Sequence, residues 1–501
     1  MNGLFYGLLA LLAWAPLPLG SNRTWAWTVM VIAACLLAMI WIAGYLRGRL
    51  QLTEAFVRAR WALAALAFWW LWIGLQGLAL PAEWVRLLSP KAHEMHALAA
   101  AALGQALPTT LTLSLEPHAT RDFWFKTTAY LAVFALTLLL VNSRHRVELL
   151  LQTLVICGMF QAFYASVMML SGLEYGFLIK KTTGLGQATG TFINRNHLAG
   201  YLNLCLAAGI GLMIARLGGE PLGSWRQRLR SIARLLLGEK VRLRIYLVVM
   251  VIGLVLTRSR MGNTAFFAGT LIVGALGLLL MRNAPRSTLL FLTSLMVLDL
   301  LIVGTWFGVD QVAQRIRQTD IRASEIRTDG GDVMPTEDRD EVVRRAMDYL
   351  RDFPLTGSGA GSFYVVFPAY HNQKLSGFYD FAHNDYVQQA AETGMIGLGL
   401  SAFIVLLALW QALSALRRRR DPVMRGTAFA VAMAICWLAI HSTVDFNMQI
   451  PANALTMTVL LAMAWVAASL SSETSRSART SQAAGQGNAA PAQGQARSLR
   501  R

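Results

Sequence analysis

Two arginines, Arg258 and Arg260, lie between two strongly apolar runs, where positive charge is unexpected. An arginine at the centre of a bilayer costs roughly 2.5–3.5 kcal/mol on insertion scales, so it is usually kept for function. Three neighbours, Thr257, Ser259 and Asn263, add hydroxyl and amide groups. Such a set suits an oxyanion, because guanidinium groups make short, charge-assisted hydrogen bonds to it. We therefore expect a phosphate-bearing substrate; the alternatives are an arginine that extends to the interface or a re-entrant helix pair.

A second candidate is the segment 189–202, Thr-Gly-Thr-Phe-Ile-Asn-Arg-Asn-His-Leu-Ala-Gly-Tyr-Leu. Gly186 and Gly190 would let the backbone approach a ligand closely. An apolar run begins just after Asn194 and Arg195. Free amides at the N-terminus of a helix favour an anion, and the planar guanidinium adds a full charge. The equally open alternative is an arginine at the membrane interface with capping asparagines.

The third candidate is His383, in the polar segment 379–394 that enters another apolar run. Imidazole titrates near neutral pH, so this side chain could take a proton from an acceptor hydroxyl or orient that hydroxyl. The neighbouring Asn384, Asp385 and Glu392 favour a functional role over that of an inert surface histidine.

Two other polar patterns receive no catalytic role. Gly357-Ser-Gly-Ala-Gly361 superficially resembles a dinucleotide-binding loop, but the sequence predicts no strand before it and no βαβ unit around it. A turn is predicted there instead. His441 and Asp445 form a polar patch at the end of an apolar run, and the sequence assigns them no role.

The composition predicts a helical membrane protein. Of 501 residues, 55% are hydrophobic and 14% are charged, with a mean hydropathy of +0.47, which is too apolar for a water-soluble fold. The net charge of +18 comes mainly from arginines in short loops, where they set orientation, so no nucleic-acid partner is predicted. The four cysteines fall inside apolar runs without metal-site spacing, so neither a metal site nor a disulfide is expected.

Apolar runs of membrane-spanning length predict an all-α polytopic protein with about twelve transmembrane helices. The runs are 3–20, 25–46, 61–80, 127–142, 147–171, 197–217, 243–257, 262–281, 288–308, 394–416, 426–442 and 452–470. The predicted organisation is nine spans over 1–308, a large loop over 309–393, the last three spans over 394–470 and a disordered tail over 471–501.

Short arginine-rich loops follow every second span, and the positive-inside rule places them in the cytoplasm. Both termini then face the cytoplasm, and the segments 81–126, 172–196 and 309–393 face the periplasm. A surface helix is predicted near 91–107, and an amphipathic helix over Thr336–Phe353. The residues predicted to share one face of the second helix are Val342, Val343, Ala346, Met347, Leu350 and Phe353.

Together these segments resemble the O-antigen ligase and polymerase superfamily. The resemblance covers about 185 to 445, with its pieces in the family's order. The pieces are Gly190 to Leu202, Thr257-Arg-Ser-Arg260 at the opening of a span, Arg339 in the large loop, Asp352 to Phe363, and His383-Asn-Asp-Tyr-Val-Gln-Gln-Ala-Ala-Glu-Thr-Gly394. The family pattern usually has a small residue after the second arginine, whereas this chain has Met261 and then Gly262, which leaves Arg258 and Arg260 both open for that position.

The resemblance implies a GT-C-like fold and an inverting glycosyltransferase that uses neither a metal ion nor another cofactor. The implied donor is a glycan on undecaprenyl diphosphate at the periplasmic face of the bacterial inner membrane. The implied acceptor is a glycan or glycolipid. The positions that match the family's catalytic residues are Arg195, Arg260 and His383. The further positions predicted to contact the diphosphate are Arg258, Arg339 and Asn194.

The sequence leaves two choices open. A ligase, a polymerase and a protein-acceptor transferase would share this donor chemistry and differ only in the acceptor. A transporter or channel for an anionic solute is the alternative of another class, and it would place charges near the middle of the bilayer and show repeat symmetry.

Overall fold

The computed structural model describes residues 1–217, 239–281, 288–297, 339–372, 375 and 379–470. The predicted tail over 471–501, the start of the predicted loop over 309–338 and the predicted helix start at Thr336 lie outside these residues. The described chain is mostly α-helical. Its helices are α1 Asn2–Trp14, α2 Thr24–Leu46, α3 Glu54–Arg58, α4 Arg60–Gln76, α5 Ala82–Leu88, α6 Pro90–Ala102, α7 Pro117–Leu140, α8 Arg144–Leu170, α9 Arg195–Leu217, α10 Glu239–Leu256, α11 Arg260–Leu280, α12 Thr288–Val297, α13 Arg339–Asp352, α14 Phe363–Val366, α15 Asp385–Arg418, α16 Pro422–His441 and α17 Pro451–Ser469.

Two short antiparallel pairs and three 3₁₀ turns complete the described secondary structure. The strands are β1 Leu80–Pro81 with β2 Thr110–Leu111, and β3 Tyr175–Gly176 with β4 Ile179–Lys180. The 3₁₀ turns are Leu19–Ser21, Phe367–Tyr370 and Asn447–Gln449.

Eight of the described helices are long and apolar enough to cross a membrane, which confirms a polytopic helical protein. They are α2, α7, α8, α9, α11, α15, α16 and α17. The described helices α1, α4, α10 and α12 lie over the other four predicted runs, but they are shorter or more charged. The predicted total of about twelve spans, their orientation and the side of the termini stay predictions.

The most buried helices form the centre of the bundle. Every residue of the apolar stretch of α9 is buried, against 17% for α2 at the periphery. α9 packs along α16, and small residues allow the close approach, since a Cβ on Gly211 would lie 2.4 Å from the Gly426 carbonyl oxygen. Close backbone packing of this kind is a main source of helix association in membranes, where burial of apolar surface drives little.

One end of the bundle collects the arginine-rich connections. Arg144, at the start of α8, lies 3.5 Å from Asp421, which caps α16. Arg146 donates to the side chain of Asn2 at 2.8 Å, and Thr53 donates to Leu138 O at 2.7 Å. Those loops predicted to be cytoplasmic that the structure describes, after α2, α7 and α15, therefore lie at one end. The C-terminal part of α9 packs beside the start of α16 at this end, so its N-terminus lies at the other.

The opposite end carries an extramembrane layer with its own apolar core. This core joins the segment 80–115 to the segment 339–391, which the sequence treated as separate. In α13, Val342, Ala346 and Phe353 are buried as predicted, whereas Met347 is 39% exposed and Tyr349 takes its place in the core. α6 confirms the surface helix predicted near 91–107, and the short helix α5 before it was not predicted.

A polar joint fixes this layer to the bundle. The Gln76 amide donates to Thr356 O at 2.7 Å and to Glu392 O at 2.9 Å, and its Oε1 accepts from Ala360 N–H at 3.2 Å. α15 breaks at Gly394, whose φ of 69° and ψ of 177° suit glycine alone. The Gly357–Gly361 segment is the predicted turn, and it packs against this break.

Candidate active site

The N-terminus of α9 presents Arg195 at the end of the bundle that carries the extramembrane layer. Arg195 is the first residue of the helix and is partly buried. Asn194 caps the helix, because its Oδ1 accepts from the Asn196 N–H at 2.8 Å. The first of the amides predicted to be free for an anion is thus already bonded, and the capping alternative holds for Asn194.

The two glycines before α9 shape the loop itself. A Cβ on Gly190 would lie 2.6 Å from Gln161 Oε1, and the Gly186 N–H donates to Glu174 Oε1 at 2.6 Å. Gln161 also accepts from the Thr191 N–H at 3.0 Å. Gly190 therefore allows the backbone to approach α8 closely, whereas the sequence predicted a close approach to a ligand.

Arg258 and Arg260 occupy a tight turn between α10 and α11. Arg258 has a left-handed backbone, with φ of 54°, and both side chains are exposed. Both residues lie at the ends of their helices and not within them.

The polar neighbours of these arginines hold the turn. Thr257 Oγ1 donates to Leu254 O at 2.6 Å, and Ser259 Oγ caps α11 by accepting from the Gly262 N–H at 3.2 Å. The Asn263 amide donates to Ser259 O at 2.9 Å. These three side chains therefore bond to the backbone of the turn, and their contact with an oxyanion stays a prediction.

The starts of α9 and α11 lie against each other. Asn203, two turns into α9, donates to Gly262 O at 3.1 Å. A Cβ on Gly262 would lie 2.7 Å from that of Ala199. Arg195 and Arg260 therefore open two adjacent helices at one end of the bundle, and positive charge collects at two helix N-termini that already favour anions.

His383 lines a small pocket just before α15. The pocket has a volume of about 190 Å³ and is formed by His383, Asn384, Thr443 and Val444 with Asp340 and Val343 of α13. His383 is partly buried and has a left-handed backbone, with φ of 52°. A non-glycine residue in that conformation is uncommon, and such positions cluster at functional sites.

Arg339 opens α13 one residue before the pocket. Its side chain lies outside the described residues. The buried Glu341 anchors this helix end, because Arg345 donates to its Oε1 at 2.9 Å and Asn372 at 2.7 Å. These bonds, the one from Arg345 above all, lower the pKa of the Glu341 carboxyl. The start of α13 is thus held beside His383.

The acidic and amide neighbours of His383 act as structural ties. Asn384 caps α15 and donates to Thr443 O at 2.9 Å. Asp385 accepts from Ser442 Oγ at 2.7 Å and from the Met448 N–H at 3.1 Å. Glu392 accepts from the amides of Gly361 and Phe363 at the polar joint, away from this pocket. Asn384 and Asp385 therefore hold the start of α15 against residues 442–448, whereas Glu392 belongs to the polar joint.

The structure adds a buried histidine–aspartate group that the sequence did not assign. His197 Nε2 lies 3.8 Å from Asp445 Oδ1, and His441 Nε2 lies 4.0 Å from Asp445 Oδ2. All three side chains are almost fully buried. His197 and His441 lie at the ends of predicted spans, where ionisable residues are costly and usually functional, so that signal was present in the sequence.

Phe446 connects this group to the pocket. Its ring centroid lies 4.6 Å from that of His197 and 5.1 Å from that of His383. His197 is two residues after Arg195, so the start of α9 and His383 belong to one structural unit. The structure thus brings Arg195 and His383 to the same end, with Arg260 on the adjacent helix.

Residues 245–402 match the family model described as O-antigen ligase. This segment is similar to O-antigen ligases, and the match confirms the resemblance to the O-antigen ligase and polymerase superfamily. The matched segment contains Arg258, Arg260, Arg339 and His383, whereas Arg195 lies before it. No curated protein matches the chain.

Proposed function

We propose that the protein transfers a glycan from undecaprenyl diphosphate to an acceptor hydroxyl at the periplasmic face of the bacterial inner membrane, with inversion and without a metal ion. One observation carries the proposal: within the matched segment, the exposed Arg258 precedes α11 and the exposed Arg260 begins it, and α11 lies against the first turns of α9, which begins with Arg195. A diphosphate leaving group needs this concentration of positive charge.

The arginines would stabilise the charge that develops on the diphosphate. As the bond between the anomeric carbon and the diphosphate oxygen breaks, negative charge grows on the leaving group. Groups that are already in place stabilise this charge most in the transition state. Arginine is suited to this role because its planar guanidinium group forms bidentate hydrogen bonds with two phosphate oxygens.

His383 would serve the acceptor. The acceptor oxygen forms the new bond to the anomeric carbon from the face opposite the diphosphate. The hydroxyl proton passes to the His383 imidazole, or the imidazole only holds that hydroxyl in line. The pocket beside His383 is smaller than the roughly 300–1,000 Å³ typical of ligand pockets, so it would hold only part of an acceptor.

The acceptor class stays open between a lipid-linked core glycan, a second lipid-linked repeat and a protein. The alternative of a transporter or channel gains no support from the family match. In the described residues the arginines of the proposed site lie at one end of the bundle, whereas a transport pathway would place charges near the middle.

The proposal is tested with full-length protein in lipid nanodiscs and a lipid-linked glycan donor. Each acceptor class is supplied separately, and product and free undecaprenyl diphosphate are measured. We expect equal amounts of both with one acceptor, and neither with the Arg195→Ala/Arg260→Ala double variant. Donor flux across proteoliposomes without transfer to any acceptor would overturn the proposal in favour of transport.

A further inference from the structure

A large apolar groove lies against the turn of α15 that follows its break at Gly394. α4, the first turns of α7 and α15 form its walls, and its volume is about 1170 Å³. That exceeds the roughly 300–1,000 Å³ of pockets for drug-sized ligands. Phe68, Leu71 and Ile396 line it with exposed side chains, and Gly399 leaves open space where a Cβ would stand.

The groove begins at the end of the bundle that carries the extramembrane layer. α7 starts there at Pro117, and α15 passes there through its break at Gly394. Trp70 and Trp124 stack with ring centroids 5.0 Å apart on its wall. Tryptophan is enriched at the boundary between membrane and water, so this level marks an interface.

The rim of the groove carries the fixed positive charge of Arg121 and the imidazole of His118. Arg121 and His118 line it and are exposed. Within the described residues neither side chain has a hydrogen bond or an ion pair, and the neighbouring Asp122 does not line the groove. Both residues lie in the first turns of α7, a helix of 24 residues, whose N-terminus further favours an anion.

We propose that this groove binds one anionic glycerophospholipid of the surrounding bilayer, with its acyl chains along α4 and α15 and its phosphate on Arg121 and His118. An apolar channel with cationic groups at the interface complements such a lipid in both shape and charge. The residues that line the groove include none of the residues assigned to the proposed site or to the pocket beside His383. The bound lipid is therefore distinct from the reacting lipids, and the proposal does not depend on glycosyl transfer.

The test is lipid binding to the delipidated full-length protein by native mass spectrometry, supported by thermal unfolding. Phosphatidylglycerol, phosphatidylcholine and undecaprenyl phosphate are added separately and in competition. We expect phosphatidylglycerol to bind about fivefold more tightly than phosphatidylcholine, whose choline cation offsets the phosphate charge, and to raise the Tm; this is the effect of one arginine beside an anionic lipid. Stronger binding of undecaprenyl phosphate at this groove would assign it to a substrate and overturn the proposal.

Two variants test whether the lipid binds in the groove. Arg121→Gln should remove the preference for phosphatidylglycerol, and Gly399→Leu should block binding by filling open space. The matched controls are Arg23→Gln, another exposed arginine, and Gly3→Leu, where a Cβ also meets nothing within 4 Å. The Tm of each variant without lipid verifies that it is folded. Unchanged lipid preference in folded Arg121→Gln, or undiminished binding in folded Gly399→Leu, would overturn the proposal.

Discussion

The ring of Phe446 contacts the His383 imidazole with centroids 5.1 Å apart and planes 71° apart. The same ring contacts the buried His197 at 4.6 Å and also at 71°, so one aromatic side chain separates two histidines. Phe381 stacks on Phe446 at 4.2 Å. This arrangement links the helix that begins with Arg195 to the proposed acceptor side of the site.

Phe446→Leu should lower kcat about two- to tenfold while leaving KM for the donor nearly unchanged. The aromatic contact is worth about 0.5–1.5 kcal/mol, and its loss lets His383 leave its position. Transfer rates over a range of donor concentrations give both constants. Phe163→Leu is the control, because Phe163 is 58% exposed on the surface of α8. Equal losses in the two variants would contradict a positioning role for Phe446.

Arg195→Ala and Arg260→Ala should each reduce transfer by about 10²–10³-fold, the usual effect of removing one group that stabilises a transition-state charge. Lysine at either position should restore little transfer activity, because it keeps the positive charge but cannot form bidentate hydrogen bonds. Arg258→Ala, measured beside them, shows which arginine of the turn contacts the diphosphate. Arg23→Ala serves as the control, and full activity in folded Arg195→Ala would remove that residue from the site.

His383 is tested through the pH dependence of the rate. If imidazole accepts the proton, only its neutral form works, so the wild-type rate should rise with pH through about 6.5, where imidazole ordinarily titrates. His383→Gln should then lose about 10²–10⁴-fold in rate together with that rise. If His383 only orients the acceptor, His383→Gln keeps substantial activity and the same pH profile. An active glutamine variant would therefore rule out the role of base.

Gly394→Ala should destabilise the protein and lower its Tm by several degrees. Its φ of 69° and ψ of 177° disfavour any side chain, and a Cβ there would lie 1.9 Å from Leu355 O. Thermal unfolding in detergent measures the change. Gly399→Ala, five residues along the same helix, meets no atom within 4 Å and should leave the Tm equal or slightly higher. A Tm of Gly394→Ala equal to wild type would show that the break is not required.

The predicted topology is tested by cysteine labelling in a background without the four native cysteines. Val365→Cys should react with a membrane-impermeant maleimide added to intact spheroplasts, because Val365 is 51% exposed in the layer predicted to be periplasmic. Arg418→Cys should react only after the membrane is permeabilised. The opposite pattern would place the proposed site in the cytoplasm.

The sequence by itself determined the local structure. Apolar runs of spanning length fixed where most helices lie, and capping residues fixed several of their ends: Ser143 caps α8, and Asp421 caps α16 ahead of Pro422. The ordered motifs also determined the family, because they are contiguous stretches whose residue types can be read directly. Arg260 and Arg195 were found in this way, at the starts of two helices.

Only the tertiary structure decided what those helices bring together. Gln76 bonds to Thr356, and Phe446 contacts both His197 and His383. These contacts join residues far apart in the chain, so the local periodicity of apolar residues does not predict them. The roles of short polar side chains were decided there too. Ser259 and Asn194 could bind a ligand or cap a helix, and because a backbone amide lay within reach, both became caps.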